Sequence, residues 1–126
     1  MNLSLRPDRL SVCQLAPDAP VPAWVSGPAR FCSITRTDGE LSIICPKALV
    51  PPDVKQETGW RVFQVTGPLD FALTGILASI ATPLAQAGVS IFALSTYDTD
   101  YVLVKDSQVT LAVKALQAAG HSVKAD

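Results

Sequence analysis

The sequence has little of what catalysis and cross-linking require. Its 126 residues include one histidine and three cysteines. The lone His121 offers no second ligand for an HExxH-type site, and GxSxG, GxGxxG and the phosphate-loop signature are all missing. Without a nucleophile, base and oxyanion donor in a readable pattern, the chain reads as a non-enzyme. Cys13, Cys32 and Cys45 are odd in number and form no CxxC, which excludes a disulfide framework and a zinc site of the usual spacing. Each lies in an apolar stretch, so each is expected to be a small buried hydrophobe. Asp98 and Asp100 alone lack the ligand run of a calcium loop. No metal and no cofactor are expected.

Long apolar runs are also missing. The stretch from Ile76 to Ala81 contains Ser79, and that from Leu84 to Leu94 contains Gln86, Gly88 and Ser90. Nothing approaches the ~20 apolar residues that span a bilayer, so no membrane partner is expected. Charged residues make up 17% of the chain and nearly cancel, with net charge -1. Nucleic acid calls for a basic footprint, and none is readable. The start, Met1 to Asp8, lacks the apolar core of a signal peptide, which points to a cytoplasmic protein.

What is present is apolar surface. Hydrophobic residues reach 48%, and the mean hydropathy of +0.31 is high for a soluble chain. The excess would cover a sheet face or a subunit interface.

Along the chain, Arg9 to Leu15 reads as a strand, and the prolines between Ala16 and Pro22 as a turn. Trp24 and Val25 suggest a short helical turn. Arg30 to Arg36 alternates as a strand, Thr37-Asp38-Gly39 is a hairpin signal, and Glu40 to Cys45 is the return strand. Pro46 to Val50 suggests a short helix. Pro51 to Gly59 reads as a linker, since paired prolines stop both regular structures.

Trp60 to Thr66 is a strand. Leu73, Ile76, Leu77, Ile80, Leu84 and Ala87 recur at helical spacing over 74–87, with Pro83 inside and Gly88 as the stop. The proline predicts a bend or strained turn. Val89 to Thr96 and Asp100 to Lys105 are strands around a turn at Tyr97 to Thr99. Asp106 or Ser107 caps a second helix that presents Val109, Ala112, Val113, Leu116 and Ala119 and stops at Gly120. His121 follows the stop and is expected to face solvent, and His121 to Lys124 is a last short strand.

The second half therefore reads β-α-β-β-α-β, the ferredoxin-like order with an antiparallel sheet and both helices on one face. Displaced by 60 positions, the segment from Ile34 to Ile44 falls on that from Leu94 to Val104, with Asp38 on Asp98 and Glu40 on Asp100. This predicts a duplication. The class is α+β with two ferredoxin-like modules, 1–59 and 60–126. The first has a degenerate first helix, because Pro17 to Pro22 occupy its place.

Two features can bind a ligand. The run from Leu73 to Leu77 enters a helix, whose first N–H groups lack internal partners and attract anions. Gly75 would let a carboxylate approach the backbone closely. The plain alternative is an ordinary start, with Thr74 as N-cap and Gly75 as a packing glycine. Ser95 to Asp100 is a turn with hydroxyls and two carboxylates. It is either a solvated turn, or Asp100 holds an ammonium or guanidinium through a charge-assisted bond. Together the two features would complement the ends of a zwitterion.

These residues carry a resemblance. Gly67 to Phe71, Thr74 to Ala78, Pro83 to Phe92 and Ser95 to Val104 together resemble the ACT-domain family. They are most similar to small bacterial tandem-ACT proteins, which are themselves similar to the ACT halves of the CASTOR-type arginine sensors. The likeness covers Trp60 to His121 well and the first half loosely. It implies a regulatory module that binds an amino acid, arginine-like or other, at an ACT–ACT interface. By the same resemblance the helix-entry amides would meet the amino-acid end of the ligand, and the aspartate its cationic part. The matching positions here are Gly75, Ile76 and Asp100, with Ser95 and Thr96 nearby. Recognition in the sensors draws on further modules, so the resemblance points to a homodimer. The alternative is a protein–protein interaction module of the same fold without a ligand, acting on a separate partner.

Overall fold

The computed structural model describes residues 1–27, 30–66 and 75–125. Its strands are β1 (Asn2–Leu5), β2 (Leu10–Leu15), β3 (Ser33–Arg36), β4 (Leu41–Pro46), β5 (Gln56–Val65), β6 (Ile91–Ser95), β7 (Asp100–Lys105) and β8 (Ser122–Ala125). The helices are α1 (Ile76–Gln86) and α2 (Val109–Ala118), and short 3-10 turns lie at Ala23–Val25, Lys47–Leu49 and Asp106–Gln108. The chain divides into two compact units, one of residues 8–60 and the other of 1–7 with 61–126. The strand β5 gives its first half to one and its second half to the other.

In the unit of residues 8–60 the strand order is β3-β4-β2-β5, all antiparallel. Cys13, Leu41, Ile43 and Cys45 point from paired strands into one cluster with Val25. Trp24, Ala19, Val50 and Val54 pack against that cluster from the proline-rich segment and the turn after β4. Those segments take the place of a helix on this unit. Arg36 holds the proline-rich segment in position by donating to the carbonyls of Pro17 and Ala19. The register between β2 and β5 slips between Leu10 and Val12, opposite Gly59 with φ of 84°. A glycine suits such a bulge because the left-handed conformation costs it little.

Two expectations change here. Residues 56–59, read as the end of a linker, belong to β5, where Gln56 accepts a 2.8 Å bond from the buried Ser11 hydroxyl. Polar side chains hid a strand whose backbone pairs regardless of them. Cys13 and Cys45 are buried as expected, but Cys32 is exposed, one residue ahead of β3. Alternation fails there because Phe31 turns inward in its stead. Burial pushes the Cys13 thiol up and the Cys45 thiol to about 12, so both stay protonated packing groups.

In the other unit the order is β8-β1-β5-β7-β6. Ile80 and Leu84 of α1 and Ala112 and Leu116 of α2 join Leu3, Phe63, Val65, Val102 and Val104 in a single core. Both helices therefore cover one face of the sheet. The core of the βαββαβ order is as read, with one addition. The strand beside β5 on its far side is β1, paired antiparallel, and β8 adds parallel to β1 beyond it. Sequence periodicity gave no hint of β1, because four residues with Leu3 and Leu5 facing in are too few to register.

The helix α1 runs unbroken through Pro83. Proline has no N–H, so the carbonyl of Ser79 four residues back loses its helical donor. His121 replaces it: its Nε2 donates to Ser79 O at 2.8 Å, and its Nδ1 accepts from the Met1 amine at 3.0 Å. His121 is thus half-buried and bonded rather than facing solvent. Gly88 and Gly120, with φ of 78° and 94°, end the helices as expected. Val89 N–H bonds to Leu84 O at 2.9 Å and His121 N–H to Leu116 O at 3.0 Å, closing each last turn. The second helix opens through the 3-10 turn at Asp106–Gln108, and Asp106 faces Arg61 at 3.4 Å. Gln108, at the N-cap of α2, makes no side-chain cap bond.

The hairpins β3–β4 and β6–β7 share one geometry. Arg36 pairs with Leu41, and Ser95 with Asp100, each around four turn residues. Thr37 N–H bonds to Glu40 O at 2.9 Å, and Thr96 N–H to Thr99 O at 2.8 Å. A 3-10 turn follows each hairpin, at Lys47 and at Asp106. All these pairs are 59 residues apart, one fewer than the displacement read from the sequence. Leu41, fully buried, therefore stands where the second hairpin has Asp100, and Glu40 where it has Thr99.

Candidate functional site

The sequence-derived residues fall in two places. Gly75 is the N-cap of α1, with φ of 76° and no side-chain cap bond, and it is exposed. Its carbonyl accepts Ser79 N–H at 2.9 Å, the first bond of the helix. The amides of Ile76 and its two successors are donors with no partner inside the helix. Among the described residues nothing lies within 4 Å of where a Gly75 Cβ would be, and its φ of 76° is a conformation that suits glycine. Thr74, the alternative N-cap, and the motif residues Gly67 to Phe71 lie outside the described residues.

Ser95, Thr96 and Asp100 are brought together by the β6–β7 hairpin. Ser95 and Asp100 are directly paired, and Ser95 Oγ donates to Asp100 Oδ1 at 2.5 Å. Thr96 Oγ1 donates to Thr99 O at 3.2 Å. Alternation along β7 places Asp100 on the face that Val102 and Val104 present to the helices. Asp100 is half-buried, and Ser95 and Thr96 are exposed.

The connection between α1 and β6 is short, residues 87–90, and reverses the chain. With 11 residues α1 rises ~16 Å, and the 5 residues of β6 span ~17 Å. The helix start and Ser95 therefore lie at one end of the unit, on one face of its sheet. Among the described residues no hydrogen bond joins Gly75 or Ile76 to the Ser95–Asp100 pair. What this end offers is a helix N-terminus for an anionic group and a carboxylate for a cationic one.

Sequence reasoning missed Thr99. The residue is 4% exposed, and its Oγ1 donates to the carbonyl of Val65, the last residue of β5, at 2.7 Å. The partner is a backbone carbonyl distant in sequence, which no residue pattern signals.

No group of His, Cys, Asp or Glu among the described residues could hold a metal ion. No helix among them is long and apolar enough to cross a membrane.

A family model described as an ACT domain matches residues 55–118, and another, described as an N-terminal domain, matches 8–53. The bovine "Cytosolic arginine sensor for mTORC1 subunit 1" is 32% identical over 98 residues, covering 69% of this chain and 30% of that protein. The human protein of the same name is 39% identical over 59 residues, 46% of this chain and 18% of its own length. The chain thus spans less than a third of these relatives. Among solved structures, a protein from Agrobacterium tumefaciens is 38% identical with a TM-score of 0.92, covering 99% of this chain and 92% of that one. The regulatory subunit of aspartate kinase from Thermus thermophilus shares the fold, with a TM-score of 0.63 at 12% identity over 89% of this chain and 93% of that one.

Proposed function

The chain belongs to the ACT-domain family, and from that premise we propose that it is a non-catalytic regulatory module that binds an amino acid. It acts in the cytoplasm as a homodimer, with its ligand at an ACT–ACT interface. The amides at Gly75 and Ile76 receive the ligand's carboxylate. Asp100, oriented by Ser95 and flanked by Thr96, receives its cationic group. The observation that carries this reading is Asp100 itself: a half-buried carboxylate whose one side-chain bond among the described residues is to Ser95, at the end of the unit where α1 begins. The relatives named for arginine sensing favour a ligand with a cationic side chain.

The interface reading draws on β6. Within its unit β6 pairs only with β7, which leaves its other edge open among the described residues. Its sequence, Ile91-Phe92-Ala93-Leu94-Ser95, carries no charge and no proline, the usual devices that protect an open edge. The other outer strands of the two units, β3 and β8, carry Arg36 and Lys124. The same open edge favours the second reading, an interaction module that docks a separate protein partner and takes no small ligand.

A thermal-shift screen of the purified protein against the twenty amino acids separates the two. A ligand at ~100 times its dissociation constant adds about 2.7 kcal/mol of stability. The expected result is a selective shift that Asp100→Ala abolishes while its ligand-free unfolding stays cooperative. An unchanged shift in that variant would falsify the site. A blank across all twenty with a well-folded protein leaves the interaction module.

A further inference from the structure

Burying a hydroxyl costs free energy unless it is bonded. The buried polar residues among those described are Ser11 and Thr99. Ser11 serves a strand pair through Gln56. Thr99 sits in a hairpin turn, where threonine hydroxyls ordinarily face water. It instead donates to Val65 O at 2.7 Å, fastening the turn to the end of β5 from which the chain departs toward α1.

The hairpin does not need this bond to close. Its twin closes through Thr37 N–H and Glu40 O in the same way. There the residue at the place of Thr99 is Glu40, which accepts a side-chain bond from Gln14 at 3.4 Å, and the residue at the place of Asp100 is the buried Leu41. The fastening is thus absent where the carboxylate is absent, and present where it is present. Thr99 immediately precedes Asp100, so holding Thr99 fixes the backbone from which the carboxylate projects. Ser95 then fixes Oδ1, and Oδ2 is left without a hydrogen bond among the described residues.

We infer that Thr99 is a positioning residue for the ligand site, holding the Asp100 carboxylate in register with the end of β5. This inference rests on the amino-acid reading above. Titration calorimetry with L-arginine on wild type, Thr99→Val, Thr99→Ser and Asp100→Ala tests it, paired with amide hydrogen exchange of each protein without arginine. Valine keeps the shape and removes the hydroxyl, and serine keeps the hydroxyl. One lost hydrogen bond predicts about ten-fold weaker binding in Thr99→Val, with Thr99→Ser near wild type. Without arginine, Thr99→Val should exchange faster at Thr96 and Thr99, whose amides bond across the turn, while amides in β1 and α2 stay protected. Wild-type affinity in Thr99→Val alongside a loss in Asp100→Ala overturns the role of Thr99 and leaves the site standing. If wild type takes up no arginine, the cationic-ligand reading falls. Exchange then decides only whether Thr99 fastens the hairpin: unchanged protection in Thr99→Val overturns that, and faster exchange confined to the hairpin supports it.

Discussion

A proline inside a helix ordinarily costs about 3 kcal/mol, part of it from the carbonyl left without a donor. Here that carbonyl belongs to Ser79, and His121 donates to it at 2.8 Å. If the imidazole replaces the missing amide, its worth must depend on the proline. Removing the ring in His121→Ala should destabilise the wild type by about 1 kcal/mol, the net value of a hydrogen bond whose loss leaves a partly shielded acceptor. Pro83→Ala restores an N–H at the right position for Ser79 O. In that background His121→Ala should cost only what its other contact, with the Met1 amine, is worth. That contact is present in both backgrounds and cancels from the cycle. The coupling is therefore about 1 kcal/mol, which corresponds to roughly 4 °C in midpoint for a chain of this size. Urea unfolding of wild type, both single variants and the double variant measures it. Additivity to within about 0.3 kcal/mol would refute the compensation.

Three further outcomes follow from the sheet edge and the thiols. Ala93→Lys, an exposed position at the middle of β6, should convert the proposed homodimer to monomers in sedimentation velocity, because two copies paired along this edge would bring the new charges together. A dimer that persists moves the interface elsewhere. Native protein should be alkylated at Cys32 alone, and at all three cysteines only after unfolding, read by intact mass. The sign of the associated pH effect is fixed by the thiol of Cys45, which burial raises from 9.0 to about 12. The folded state keeps that proton where the unfolded chain loses it, so stability should decline as pH rises from ~9 toward 12 and be unaffected below, as followed by denaturant midpoints.

Much of the fold was legible because its signals are local. The helices α1 and α2 announced themselves through apolar recurrence, and Gly88 and Gly120 through stops that the left-handed φ values bear out. The turn at 37–40 and that at 96–99 were readable as short polar breaks between strands. What escaped was decided by distant partners. The strand β1 exists because Leu3 and Leu5 find β5 and β8, not because four residues favour extension. The Pro83 carbonyl deficit was visible in the sequence, but its remedy lay 38 residues on, in a histidine whose position after a helix stop suggested solvent.

The residues of the proposed site are readable in the sequence, but the strand register that sets them apart is not. Matching the two hairpins acid to acid, at a displacement of 60, makes Asp100 look like an inherited turn residue. Matching them by strand register, at 59, sets it against Leu41, which is fully buried. Exchanging a leucine for a carboxylate at a half-buried strand position is unfavourable, since desolvating the charge has to be offset by partners. Asp100 has Ser95 as its single side-chain partner, and no cation meets it among the described residues. Among the described residues nothing else compensates it, which breaks the pattern of the first hairpin, and departures of that kind concentrate where function requires them. Thr99 points the same way: a buried hydroxyl fastened to β5 beside a position where the second hairpin departs from the first. The two departures are adjacent in sequence and at the same end of the unit as the start of α1. A solvated turn would need neither, and both fit the proposed site for a cationic group at the end of the unit where α1 begins.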